Sequence, residues 1–416
     1  MYDWANSAFI LTVVAGFFPV FFKTYWSASV DPTVSTARLG LGNAIAGGVV
    51  AIISPLLGAV ADIGRAKKRL LGSFMLLGAI STVGLFFIPQ GGWIGALCFF
   101  LVASVGFNSA NIFYDSLLVD VASAERMDWV SSVGYATGYL GCGLLFAFNV
   151  LMVTAPERFA LPGQAEAIRV SFLVAALWWL LFSVPLLLFV HERGEAERGS
   201  IVKAIRGSVG SVMATLRVIL RNRALSLFLV AYWLYIDGVH TFVLMAVDFG
   251  MAIGLESSSL MVALLVVQFV AFPSALLFGI AAKRLSAAVM ILAGIMIYIC
   301  VCVFGVMFLR TSLDYIILAG ITGVAQGGIQ ALSRSWFGRL IPVESSAEYF
   351  GFFNIVNRFA VIAGPAVVGS VAFFSKRAGV ESVWASRLGM SSVSLLFVCG
   401  GIFLFAAEQS RKRQLA

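Results

Sequence analysis

Residues 41–69 run LGNAIAGGVVAIISPLLGAVADIGRAKKR. From Leu41 to Ala61 the run carries no charge, and a helix needs ~20 mainly apolar residues to cross a bilayer. It stops at Asp62, and the cations Arg65, Lys67, Lys68 and Arg69 follow at once. An apolar helix that ends on a cationic edge reads as a membrane span. Outward from this point the same alternation recurs, giving twelve segments near 2–23, 41–61, 70–89, 93–119, 130–153, 169–190, 224–247, 258–281, 286–309, 313–337, 348–374 and 387–407. The expected fold class is an all-α membrane protein with twelve transmembrane helices.

Composition agrees. Of 416 residues 61% are hydrophobic and 12% charged, with a mean hydropathy of +0.99, whereas a soluble domain carries about a quarter charged residues. A soluble globule, a disordered chain, a coiled coil and a disulfide scaffold are excluded. Cys98, Cys142, Cys300, Cys302 and Cys399 all lie in apolar runs, where a thiol acts as a small apolar filler. Cys300 and Cys302 are too close along one helix for a zinc clip, so no metal, redox group or other cofactor is expected. The first run contains Asp3 and Asn6 and lacks a basic leader, unlike a cleavable signal peptide. Its apolar part, Ala8 to Phe22, is only 15 residues, which leads us to expect a native start upstream of Met1.

Orientation follows from the cations. With the amino terminus inside, the cytoplasmic connections hold 18 Lys and Arg and the outer ones 8, so the positive-inside rule places both termini in the cytoplasm. The net charge of +8 is spread over several loops and reads as a topology signal; no nucleic-acid partner is expected. The longest connection divides the chain into a six-helix bundle at 1–190, a linker at 191–223 and a second six-helix bundle with a short basic tail at 224–416. In the linker, Ile201, Ile205, Val209, Val212, Leu216 and Ile219 recur at helical spacing, away from Lys203, Arg206, Arg217, Arg221 and Arg223. That pattern fits a helix lying on an anionic leaflet or a plain soluble linker helix.

The halves match weakly. A shift of 234 places Asp3, Asn6 and Ser7 on Asp237, His240 and Thr241; a shift of 219 places Asn111, Asp115 and Asp120 on Gln330, Arg334 and Arg339. A shift of 221 places Gly58 and Asp62 on Gly279 and Lys283. Duplicated six-helix halves are a transporter plan in which substrate binds near the midplane. Polar residues inside the spans sharpen this, because an ionisable group in hydrocarbon costs several kcal/mol unless it faces a cavity or partner. Ser104, Asn108, Asn111 and Asp115 form a stripe on span 4, and Gln326, Gln330, Ser333 and Arg334 form one on span 10. Trp233, Asp237, His240 and Thr241 share a face of span 7, with Asp3, Asn6 and Ser7 on span 1. Glue between helices is the other reading for Asn108, Gln326 and Thr241. Four equivalent spans together favour a shared water-filled cavity.

The segment Gly58–Arg69 resembles the gating-loop signature of the major facilitator superfamily, with one residue fewer between the Asp and the Gly-Arg pair and with Ile63 where a basic residue is usual. YDWANSAF at Tyr2–Phe9, GYATGYLG at Gly134–Gly141, ALWW at Ala176–Trp179, YIDG at Tyr235–Gly238 and GGIQALSRSWF at Gly327–Phe337 resemble the branch related to the vacuolar amino-acid effluxers of autophagy and their bacterial counterparts. The match runs over nearly the whole chain. The resemblance implies a twelve-helix transporter working by alternating access, and its eukaryotic relatives release neutral amino acids such as leucine and tyrosine from the vacuole. Asp115 stands where the family often has Asn.

For the gating loop, Asp62 is expected to accept hydrogen bonds from a neighbouring helix start and Arg65 to pair with Asp120, bonds that hold one end closed and break on rocking. Lys67, Lys68 and Arg69 are read as topology signals. For the central site the expected residues are Asp237, Arg334, Asp115 and Asn111, then His240, Gln330, Asn6 and Asp3. Asp237 would serve a substrate ammonium and Arg334 its carboxylate, since guanidinium pairs bidentately with carboxylates; alternatively Arg334 and Asp115 pair as a gate. Trp233, Tyr235 and Trp336 are a candidate aromatic wall. The absence of a GxxxxGK[ST] loop argues against ATP-driven transport. Asp237 with His240, or Asp115, are the groups expected to carry a coupling proton, with uniport as the other possibility.

The function expected is thus secondary transport of a small neutral solute such as an amino acid, as efflux, by a monomer in a bacterial inner membrane. A multidrug or other metabolite exporter is the alternative within the fold, and a non-transporting sensor or lipid-handling protein the alternative outside it. With only His191 and His240 and no HExxH, an intramembrane protease is not expected.

Overall fold

The computed structural model describes residues 1–192 and 201–415. Among the described residues the elements are helices and no strand occurs. Twelve are long and apolar enough to cross a membrane: Tyr2–Trp26, Val34–Gly64, Lys67–Phe86, Trp93–Val121, Met127–Thr154, Gln164–Phe189, Arg223–Ala246, Val262–Leu285, Ala287–Phe308, Ser312–Gly338, Val343–Arg377 and Ser382–Gln414. In hydrocarbon a helix satisfies every backbone donor and acceptor within itself, which is why apolar runs of this length adopt it. Large apolar side chains such as Ile52, Ile80, Leu177, Leu181 and Phe189 stay exposed on the helix surfaces, as expected where the surrounding medium is lipid.

The eleventh span differs from the single run read from sequence. It consists of Ser346–Phe359 and Ala363–Arg377, separated by a short turn. Pro365 lies third in the second piece; in an unbroken helix its ring would clash with the Val361 carbonyl and leave it without a donor. The first span also departs from ideal geometry, with π-helical turns at Phe9–Phe17 and Phe22–Trp26.

The chain forms two compact units. The first contains Met1–Ser123, Thr137–Val212 and Pro342–Asn354. Its core is aromatic: Phe9 lies 5.2 Å from Phe107 and 5.6 Å from Trp179, and Trp26 stacks on Phe172 at 5.9 Å. The second contains Ala124–Ala136, Met213–Ile341 and Ile355–Ala416. There Phe228 stacks on Trp336 at 4.3 Å and Tyr298 on Phe397 at 4.8 Å. Compared with the halves read from sequence, the first part of the fifth span counts with the second unit and the first part of the eleventh with the first unit.

The expected linker helix forms at Ile201–Arg221. Val209, Met213, Val218 and Leu220 are exposed on it while Ser208, Thr215 and Ile219 are buried. Residues 193–200 of the expected linker lie outside the described residues.

Candidate functional site

In the first unit, the second span ends at Gly64 and Arg65 turns the chain with φ 45°. That left-handed residue leaves the Arg65 side chain exposed, and the third span starts two residues later, carrying Lys67 back over Asp62. Asp62 accepts from the Ala347 N–H at 3.2 Å and the Glu348 N–H at 2.8 Å, the first turn of the eleventh span. Lys67 Nζ lies 3.0 Å from Asp120 Oδ2 and 3.6 Å from Asp62 Oδ1, and donates to Ser346 Oγ at 2.7 Å. The expected Arg65–Asp120 pair is therefore corrected: Lys67, read from sequence as a topology signal, is the buried cation between the two acids. Glu348 in turn accepts from Ser211 of the linker helix at 2.7 Å. Gly58 is required here, since a Cβ on it would overlap the Ala347 carbonyl.

The second unit repeats this plan with the charges reversed. At its matching positions Gly279 approaches the start of the fifth span, where a Cβ would meet Ser132 Oγ at 2.5 Å. Lys283, the match of Asp62, lies over the Trp129 ring at 5.4 Å. Arg339, the match of Asp120, pairs with Asp128 at 2.7 Å, and Asp128 also accepts from Ser335 Oγ at 2.5 Å. Beside these pairs opens a cavity of about 570 Å³ lined by Asp128, Lys283, Arg284, Arg339, Glu408 and Arg411 among others. Arg334 donates through Nε to Ser131 Oγ at 3.0 Å and through Nη2 to the Ser131 carbonyl at 3.2 Å, with its guanidinium 4.5 Å from the Tyr135 ring centre. In this structure it holds the start of the fifth span.

Deeper in the first unit, spans 1 and 4 bring their polar stripes together. Asn6 Nδ2 donates to Asn111 Oδ1 at 2.7 Å, and the Tyr114 hydroxyl donates to Asp3 Oδ2 at 2.5 Å. Asp115, one residue beyond Tyr114, is half-buried and also engaged.

The second unit places its polar cluster at the break in the eleventh span. Asp237 Oδ2 accepts from the Ala363 N–H and Oδ1 from the Gly364 N–H, both at 3.0 Å, and Thr241 Oγ1 donates to Oδ1 at 3.1 Å. A carboxylate on a helix N-terminus satisfies orphan donors and opposes the positive end of the helix dipole. His240 Nδ1 lies 3.2 Å from the Ala360 carbonyl, on the other side of the break. Span 7 thus holds both cut ends, and the expectation that Asp237 waits for an ammonium is corrected: both carboxylate oxygens are occupied. Gln330 on span 10 is half-buried and engaged.

The aromatic wall does not assemble. Trp233 is 38% exposed, Tyr235 is fully buried with its hydroxyl 2.7 Å from Ser333 Oγ, and Trp336 donates to Glu408 at 3.3 Å. Two residues were missed. Lys67 stood in a run of three cations that gave no reason to single it out. Arg358 did give a signal, an arginine inside an apolar run; its Nε is buried without a hydrogen-bond partner.

These features have counterparts among known proteins. The family profile described as vacuole effluxer Atg22 like matches residues 36–416. An uncharacterized MFS-type transporter, YxiO of Bacillus subtilis (strain 168), is 38% identical over 413 residues, covering 99% of this chain and 94% of that protein. Autophagy-related protein 22 of Coccidioides immitis (strain RS) is 24% identical, covering 77% of this chain and 65% of that protein. Among solved structures, the human organic anion transporter MFSD10 (TETRAN) superposes with a TM-score of 0.72 over 97% of both chains at 15% identity. The proton:xylose symporter XylE gives 0.68 over 97% of this chain and 92% of its own at 13% identity. The structural likeness establishes the twelve-helix major facilitator fold, and the sequence matches make the protein a transporter of small molecules rather than an enzyme. With its gating-loop carboxylate on a helix start and its profile match over nearly all of its length, the chain belongs to the vacuole effluxer Atg22-like family of the major facilitator superfamily.

Proposed function

We propose that the protein exports a small zwitterionic solute of the neutral amino-acid class by alternating access, with proton uptake at Asp237 coupled to the cycle. The observation that carries this reading is the occupied helix start at the break in the eleventh span. Half-helix N-termini deep in a transporter are where anionic groups are held, and here the chain's own carboxylate fills that place. A proton on Asp237 removes the charge that two amides share, weakens the cap and frees the Ala363 and Gly364 N–H groups for a solute carboxylate. Loss of the proton restores the cap.

Asp3, Asn6, Asn111 and Asp115 are the polar cluster of the first unit, and Gln330 and His240 are further polar groups of the second. Asp62, Lys67 and Asp120 act as a gate that opens during the cycle, a role in which Lys67 replaces Arg65. The family's described effluxers support the direction of transport. The excess of cations on alternate connections supports a bacterial inner membrane with both termini in the cytoplasm, and the protein works as a monomer.

The test is counterflow in proteoliposomes. Vesicles preloaded with leucine or tyrosine should accumulate the labelled amino acid, and an imposed pH gradient should accelerate flux. Asp237→Asn should retain exchange and lose the response to the gradient. Intact gradient-driven transport by that variant removes the proton role of Asp237, and counterflow of drugs or sugars without amino acids removes the substrate class.

A further inference from the structure

We propose that Arg358 receives the anionic group of the transported solute, and that this group is a carboxylate. The proposal deepens the zwitterion reading above, adding Arg358 across the break from the Ala363 and Gly364 amides as the charged partner of the same carboxylate, and rests on that reading for the solute's identity. Arg358 is the sixteenth residue of the 35-residue span Val343–Arg377, in the last turn before the break. It therefore lies close to the middle of the span, the depth at which transporters of this plan bind substrate. An arginine at that depth costs several kcal/mol unless it faces a partner or a water-filled cavity.

The other cations on the inner sides of the spans have partners. Lys67 has Asp120, Arg339 has Asp128, and Arg334 has Ser131 and the Tyr135 face. Arg358 has none: among the described residues it makes no ion pair or hydrogen bond, and its Nε is enclosed without an acceptor. The acid at the break, Asp237, is committed to the Ala363 and Gly364 amides. Arg358 is half-buried, so its charge is only partly solvated and lacks a counter-ion, a deficit that a ligand's anion removes.

The surroundings define the ligand's chemistry. Asn357, the preceding residue, accepts from the Tyr232 hydroxyl at 3.3 Å, which fixes that face of the turn. The residues of span 7 that bond the chain on either side of Arg358 are Tyr232, to Asn357, and His240, to the Ala360 carbonyl. The guanidinium itself presents one positive charge, which a single negative charge balances. A guanidinium fork presents two parallel donors that match the two oxygens of a carboxylate, whereas a phosphate dianion would bring one charge too many.

The experiment is thermal unfolding of the purified full chain with L-leucine, 4-methylpentanoate, leucinamide and inorganic phosphate. Leucine and 4-methylpentanoate should raise Tm, because a ligand that binds only the folded form stabilises it; leucinamide and phosphate should not. Arg358→Gln should weaken carboxylate binding at least ~10-fold, and Arg358→Lys, which keeps the charge and loses the fork, by about 3–10-fold. If Arg358→Gln does not purify folded, Arg358→Lys and protection of wild-type Arg358 from phenylglyoxal by 4-methylpentanoate, mapped by mass spectrometry, carry the test. Equal stabilisation by the acid and its amide, unchanged affinity in the variants, preference for phosphate, or no response of the wild type to any carboxylate overturns the proposal. Arg358-dependent binding of 4-methylpentanoate with no binding of leucine would overturn the zwitterion reading and leave the Arg358 assignment standing. Leucine flux indifferent to Arg358→Gln would do the reverse.

Discussion

Arg65 and Lys67 are two residues apart in one basic cluster, and burial separates them. Lys67 is 6% exposed and bridges two acids, whereas Arg65 is exposed and has a left-handed backbone. Removing one member of a buried ion pair costs about 3–5 kcal/mol, because the partner's charge stays behind. Lys67→Ala is accordingly expected to lower thermal stability in detergent by that order, and Lys67→Ala with Asp120→Ala should recover part of it. Arg65→Ala should fall within about 0.5 kcal/mol of wild type, and Arg65→Gly, which suits φ 45°, should gain at most ~1 kcal/mol. A large loss at Arg65 with none at Lys67 contradicts this assignment. The sequence announced that a cation and an acid meet at this loop. It could not say which cation, since the choice depends on the turn at Arg65 that sets the register of the third span.

At the scale of the helix, close approach and breakage decide what the apolar runs become. The second span contains several glycines, and their surroundings differ: a Cβ at Gly58 collides with the Ala347 backbone, while one at Gly47 meets nothing within 4 Å. Gly58→Ala is expected to destabilise by about 1–3 kcal/mol, the usual effect of overpacking, and to reduce transport by loosening the Asp62 cap on the eleventh span. Gly47→Ala on the same helix should be neutral or stabilise by up to ~1 kcal/mol, through helix propensity alone. Similar effects at both sites, read by thermal unfolding and counterflow, would remove the close-approach argument. The existence of twelve spans was legible because length and hydropathy fix it. The cut in the eleventh was not read, although Pro365 marks it, because an apolar run with a proline often continues, as the second span does through Pro55. What opens the eleventh span is proline combined with the Asp237 and His240 contacts from span 7, and those are tertiary.

Across the whole chain, the weak internal match seen in sequence has a physical meaning at the span ends. Asp62 and Asp120 of the first unit correspond to Lys283 and Arg339 of the second, so each unit carries like charges at matched places and needs an opposite charge to hold them. The first unit supplies Lys67 from its third span; the second supplies Asp128 from the start of the fifth. The matched positions carry opposite signs, which is why residue-by-residue comparison looked poor while Gly58 and Gly279 still matched. The same division explains the site's legibility: Asn6, Asn111 and Asp237 stood out as polar groups in hydrocarbon, but their partners, and the unpaired state of Arg358, needed three-dimensional neighbours. Asp128→Ala takes a charged acceptor from Arg339 and Ser335, a loss of about 1.5–3 kcal/mol. Lys67 and Asp128 share no partner and belong to different units, so their effects should be independent. The double variant Lys67→Ala, Asp128→Ala should lose the sum of the two single losses to within about 0.5 kcal/mol. A departure well beyond that in reversible unfolding would mean that the two clusters act on one shared equilibrium rather than each stabilising its own unit.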